Sequence, residues 1–86
     1  MKLKEGFVPY QAEDTHMLVA MGKTKFSGIV RNNETAAFIV DHLREDISEN
    51  TLATCMMERY GIDEETARRG VKTVLDTLRK IDALDE

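Results

Sequence analysis

The stretch Asp63-Glu64-Glu65-Thr66-Ala67-Arg68-Arg69-Gly70-Val71-Lys72-Thr73-Val74-Leu75-Asp76-Thr77-Leu78-Arg79-Lys80-Ile81 carries the clearest periodic signal in the chain. Ala67, Val71, Val74, Leu75, Leu78 and Ile81 recur at helical spacing, and stepping about 100° per residue keeps them within about 80° of Val71. Asp63 caps the start, and the acids behind it suit the positive end of a helix dipole. A long amphipathic helix must bury its stripe against something. The rest of the chain has to supply that surface.

Working back from it, Gly61 stops a shorter helix that begins at Ser48-Glu49-Asn50-Thr51 and holds Leu52, Cys55, Met56 and Tyr60 at helical spacing. Asn33 caps a further helix through Thr35, Ala36, Phe38, Ile39 and Leu43 to about Arg44, with Glu34 in its first turn. Upstream the period changes. Residues 7–12 read as an edge or irregular strand, since Pro9 cannot donate as a central strand must, Glu13-Asp14 as a turn and residues 15–21 as a second strand, closed by a turn at Gly22-Lys23. A third strand places Phe26, Gly28 and Val30 on one face and Ser27 and Ile29 on the other. The expected fold is α+β: a three-stranded antiparallel meander followed by three helices, in one domain spanning residues 1–86.

With 86 residues, 42% of them hydrophobic and 33% charged, the chain has the balance of a small globular domain and not of a disordered one. The net charge of −4 is the wrong sign for a protein whose main partner is a polyphosphate. It is also uneven. Lys2, Lys4, Lys23, Lys25 and Arg31 outweigh Glu5, Glu13 and Asp14, so the acidic excess lies beyond residue 33. One cysteine, Cys55, allows no intramolecular disulfide and no multi-thiolate metal site. No apolar run approaches a membrane span and no signal-peptide core opens the chain, so a cytoplasmic location is expected.

Several strings, in order, resemble the PqqD-like family. They are Phe7-Val8 after a charged leader, Ile29-Val30-Arg31-Asn32-Asn33-Glu34-Thr35-Ala36-Ala37-Phe38-Ile39, Ser48 with Leu52, and Tyr60 through Val71 followed by Val74-Leu75 and Leu78 to Leu84. The sequence departs from the family pattern at Asn32 and His42, where Leu is usual, at Val40, where Trp is usual, at Gly70, where Asp is usual, and at Arg44-Glu45-Asp46, which lacks the common Asp-Gly turn. The resemblance implies a winged-helix-like bundle behind the sheet. It implies a protein that binds the leader segment of a ribosomally made precursor peptide and presents it to a modifying enzyme, often a radical SAM protein. The leader of similar domains adds to the third strand and lies beside the third helix, a case of β-strand addition.

On this basis the expected peptide-binding residues are Lys25, Phe26, Ser27, Gly28, Ile29 and Val30 on the strand and Arg68, Lys72 and Arg79 on the helix. Gly28 and Ser27 leave room for a second backbone, while Lys25 discourages promiscuous pairing; Gly28 alternatively marks a bulge or relieves crowding. Arg68, Arg79 and Lys72 fall near about 60°, 80° and 100° from Val71, a basic ridge on one flank. It has two readings: a surface for acidic leader residues, or a solvated face paired with Glu64, Glu65 or Asp76.

No catalytic constellation, cofactor or metal site is expected. His16 and His42 lie in different elements without partners at ligand spacing, His42 reading as a helix-flank residue. Cys55 lacks an activating neighbour; with Met56 it reads as packing, and Met57 as surface. Two other functions fit the element order: a winged-helix DNA-binding regulator, disfavoured by Asp63-Glu64-Glu65 at the start of its recognition helix, and an accessory subunit that only stabilises an enzyme. An open sheet edge also leaves monomer and weak dimer both open.

Overall fold

The computed structural model describes residues 1–21 and 28–86. Its elements are β1 (Lys2–Leu3), β2 (Phe7–Ala12), β3 (Thr15–Ala20), β4 (Ile29–Asn32), α1 (Glu34–His42), α2 (Glu49–Tyr60), α3 (Glu64–Lys80) and β5 (Leu84–Asp85). The α+β expectation holds: β2, β3 and β4 form an antiparallel meander in that order, and three helices follow. A second, two-stranded sheet pairs β1 with β5, Leu3 opposite Leu84. Strands of two residues are too short to show a period, so this clasp has no signal in the sequence.

The helix ends follow from their caps. Asn33, Ser48 and Asp63 each have extended backbone, and their side chains accept from the N–H of Ala36, Thr51 and Thr66 at 2.8, 3.1 and 2.9 Å. Each satisfies a donor the helix itself leaves unpaired. Gly61 ends α2 in the left-handed region, φ +63°, and its N–H returns to the Met57 carbonyl at 2.9 Å.

The core joins the sheet to all three helices. Phe7 and Leu18 enter from the sheet, Ile39, Val40 and Leu43 from α1 and the residue after it, Leu52, Ala53 and Met56 from α2, and Ala67, Val71, Leu75 and Leu78 from α3. Val74 and Ile81, expected in the same stripe, lie at its margin and are half-buried. Met57, expected at the surface, packs partly against the core, whereas Cys55 is half-buried and free.

The third strand continues two residues beyond its last apolar residue, Val30. Its described part is Ile29–Asn32, because β3 begins at Thr15 and its register brings Met17 opposite Arg31 and His16 opposite Asn32. Backbone pairing overrides side-chain polarity at those two positions. Lys25, Phe26 and Ser27 fall outside the described residues.

Candidate functional site

Antiparallel strands alternate the side to which each residue aims its N–H and C=O. The Ala20 N–H donates to the Gly28 carbonyl at 3.1 Å, so Gly28 aims at β3. By the β3–β4 register Val30 and Asn32 do the same. The backbone groups of Ile29 and Arg31 therefore aim at the other edge, where no strand lies among the described residues. Gly28 has φ +134°, a region that favours glycine, so its backbone gives it a reason for being there independent of any ligand.

Next to that edge runs a groove of about 480 Å³ between β4, α1 and α3. Val30 floors it with Ala36 of α1, while α3 contributes Thr66, Gly70, Thr73, Val74 and Thr77; Arg31 borders it where β4 runs past, its side chain on the other face of the sheet, and Arg69 adds a guanidinium-bearing side chain. A Cβ built on Gly70 would meet nothing within 4 Å, so this part of the helix flank is open. The lining is mostly apolar or hydroxyl-bearing, which suits an extended chain whose side chains alternate into and out of the groove.

The basic ridge lies elsewhere. On a helix advancing about 100° per residue, Gly70, Thr73 and Thr77 fall on one side of the buried stripe and Arg68, Lys72 and Arg79 on the other. All three ridge residues are exposed and paired: Arg68 donates to Glu64 at 3.1 Å and to Asn50 at 2.8 Å, Lys72 to Asp76 at 2.7 Å, and Arg79 to Asp76 at 3.1 Å and Glu86 at 2.9 Å. Hydrogen bonding to Glu86 first, then its charge and Asp76, raises the Arg79 pKa further above its usual value. The Lys72 hydrogen bond does most to hold Asp76 below the usual carboxylate range, and Arg79 does the same for Glu86. The structure thus brings Gly28, Ile29 and Val30 to the groove's edge and turns Arg68, Lys72 and Arg79 away from it, in the ion-paired arrangement that was the second reading of the ridge.

Residues 15–84 match the family model described as Coenzyme PQQ synthesis protein D (PqqD). The chain belongs to the PqqD family. Among solved structures, TbiB1 in complex with the TbiA(beta) leader peptide superposes with a TM-score of 0.81, covering 99% of this chain and 95% of that one at 18% identity. At that identity the likeness concerns the fold. No curated protein matches at a significant level.

Within this PqqD-family fold a second cleft, of about 270 Å³, lies between the β2–β3 hairpin and α1 and α2. Both of its arginines are engaged within the domain. Arg44 donates to Asp41 at 2.7 Å and to the Pro9 carbonyl at 3.3 Å, and Arg59 lies 5.6 Å from the centre of the Tyr60 ring. The half-buried His42 is likewise engaged within the domain, its Nδ1 lying 2.9 Å from the Phe38 carbonyl and its ring 4.4 Å from that of Phe38. Among the described residues no three of His, Cys, Asp and Glu are placed to hold a metal, and no helix is long and apolar enough to cross a membrane.

Residue-by-residue reading missed Ala36, Arg69, Gly70, Thr73 and Thr77. A signal existed: Thr66, Gly70, Thr73 and Thr77 form a strip of small side chains along one flank of α3. It is the flank on which a neighbouring backbone has room to approach.

Proposed function

We propose that this PqqD-family chain binds the leader segment of a ribosomally made precursor peptide as an added antiparallel strand on β4. The chain presents the peptide to a modifying enzyme of the radical SAM class in the cytoplasm and catalyses nothing itself. The observation that carries the reading is the edge at Ile29 and Arg31, to which no described strand pairs, beside a groove of about 480 Å³. Each backbone hydrogen bond there contributes about 0.5–1.5 kcal/mol net, so the N–H and C=O of two residues give a modest anchor that groove contacts must complete. The family's link to coenzyme PQQ synthesis and the leader peptide held by TbiB1 support the same choice.

The other edge of the sheet is a poorer template. In β2 the Gly6 carbonyl accepts from the Met21 N–H, which places Val8 and Tyr10 in the pairing with β3 and turns Pro9 outward. Proline has no donor to offer there, and its carbonyl already accepts from Arg44. A nucleic-acid reading gains nothing from α3, whose first turn exposes Glu64 and Glu65.

The test is a titration of the full chain with the precursor peptide encoded beside its gene, followed by amide exchange. Saturable binding with new protection at the Ile29 and Arg31 amides is expected. Absence of binding, or binding that leaves both amides unprotected, overturns the reading.

A further inference from the structure

An added strand shows half of its side chains to the groove and half to the opposite face of the sheet. Peptide residues paired directly with Ile29 and Arg31 carry their side chains on the same face as those two. That face is built of two cross-strand rows, Val8–Val19–Ile29 and Tyr10–Met17–Arg31. Among the described residues both rows stop at β4. Ile29 is 58% exposed and ends the first row with an uncovered apolar side chain. Arg31 ends the second, exposed, with no hydrogen bond or ion pair to another described residue. The arginines of α3 differ, since Arg68, Arg69 and Arg79 each hold a carboxylate, Arg69 holding Glu65 at 3.0 Å.

A guanidinium without a carboxylate, standing beside backbone groups aimed at an incoming strand, is a place for the carboxylate to come from that strand. Its planar fork suits Asp or Glu, and an opposite charge directly across a strand pair is favourable. We propose that Arg31 is a specificity-determining residue, selecting peptides with Asp or Glu at the position paired with it. Ile29 selects an apolar residue two positions nearer the peptide's C-terminus, because antiparallel pairing reverses the order. The residue between them enters the groove opposite Val30. The recognised pattern is therefore acidic, groove-filling, apolar, and this assignment rests on the groove reading above.

The probe is a displayed library of random twelve-residue peptides, selected on the full chain and on its Arg31→Glu and Gly70→Leu variants. Peptides selected by the parent chain are expected to share Asp or Glu two residues before an apolar position. Selection on Arg31→Glu is expected to replace the acid by Lys or Arg and keep the apolar position. A parent-selected peptide should bind Arg31→Glu at least about tenfold more weakly, the lower end of what one charge-assisted hydrogen bond contributes. Arg31 is exposed, so the variant should fold; Arg31→Gln serves as a second, uncharged variant with a smaller loss. A selected pattern without the acid, or an acid retained on Arg31→Glu, overturns the assignment while loss of binding on Gly70→Leu leaves the groove standing. Failure to enrich any peptide, or equal binding to Gly70→Leu, overturns both.

Discussion

The two flanks of α3 are made of the same helix and the same seventeen residues, yet they differ in almost every property that matters for binding. One carries Arg68, Lys72 and Arg79, whose charges are answered by Glu64, Asp76 and Glu86. The other carries Gly70, Thr73 and Thr77, contributes no cation but Arg69 to the groove, and faces the open edge of β4. Charge draws attention to the first flank, but a surface that has satisfied its own charges has little left to offer. The second flank offers space beside backbone that no described strand pairs. What distinguishes the proposed binding face is the space beside β4, and that is visible only once the strand lying beside the helix is known.

Filling the second flank should produce the largest effect. Gly70→Leu places a branched side chain where a Cβ already has open space, so the domain should fold. Affinity for a groove-bound peptide is expected to fall at least about a hundredfold, because several contacts and the strand hydrogen bonds fail together. Isothermal titration with a melting curve on the same sample checks this. Retained affinity in the folded variant would mean that the peptide lies elsewhere.

Gly70→Ala sharpens the same point from the side of stability. A glycine inside a helix costs roughly 0.5–1 kcal/mol relative to alanine, and nothing here crowds the added methyl group. The variant should therefore be more stable by about that amount, with a smaller loss of peptide affinity than Gly70→Leu. A destabilised Gly70→Ala in denaturant melts would show that the groove is less open than its geometry indicates.

The opposite flank should be almost silent in binding. Reversing charge at Arg68 and Lys72 together breaks two exposed pairs, each of the kind that contributes little, so the melting temperature should move by no more than about 5 °C. Peptide affinity is expected to change less than about threefold, through the overall field and not through contact. A tenfold loss in the folded double variant would bring the ridge back into the site.

How much of this was legible in the sequence divides along the same line. The caps at Asn33, Ser48 and Asp63 and the stop at Gly61 are local chemistry, and the helices begin and end where those residues place them. The edge position of β2 was legible from Pro9 for the same reason. The stripe Ala67, Val71, Leu75, Leu78 identified the buried face of α3, but the sequence is silent on which flank of a buried face adjoins a strand. That depends on how the helix crosses the sheet. Arg31 and Asn32 show a related limit: polar and next to a cap, they become strand residues because Met17 and His16 lie opposite them. The β1–β5 clasp brings together residues from the two ends of the chain, and two-residue strands leave no pattern to read.

The smallest effect expected is a dependence on pH that belongs to the ridge and not to the groove. Hydrogen bonds and charge from Lys72 and Arg79 hold Asp76 below its usual pKa, and Arg79 does so for Glu86. A carboxyl depressed in the folded state binds its proton more readily in the unfolded one, so its stabilisation is complete above the unfolded pKa and is lost as pH falls through the folded value. The melting temperature should therefore be flat from pH 7 down to about 5 and decline below about pH 4, where ordinary carboxylates titrate. Asp76→Asn should melt slightly lower than the parent chain at pH 7, and the gap should close in acid because the parent then loses what the variant already lacks. All these groups are exposed and screened, so the gap at pH 7 should shrink in high salt. Peptide affinity at pH 7 should be unchanged in Asp76→Asn, which separates the network that holds its own charges from the edge that waits for a partner's. A gap that widens in acid, or a loss of peptide binding in this variant, would join the two flanks into one functional surface.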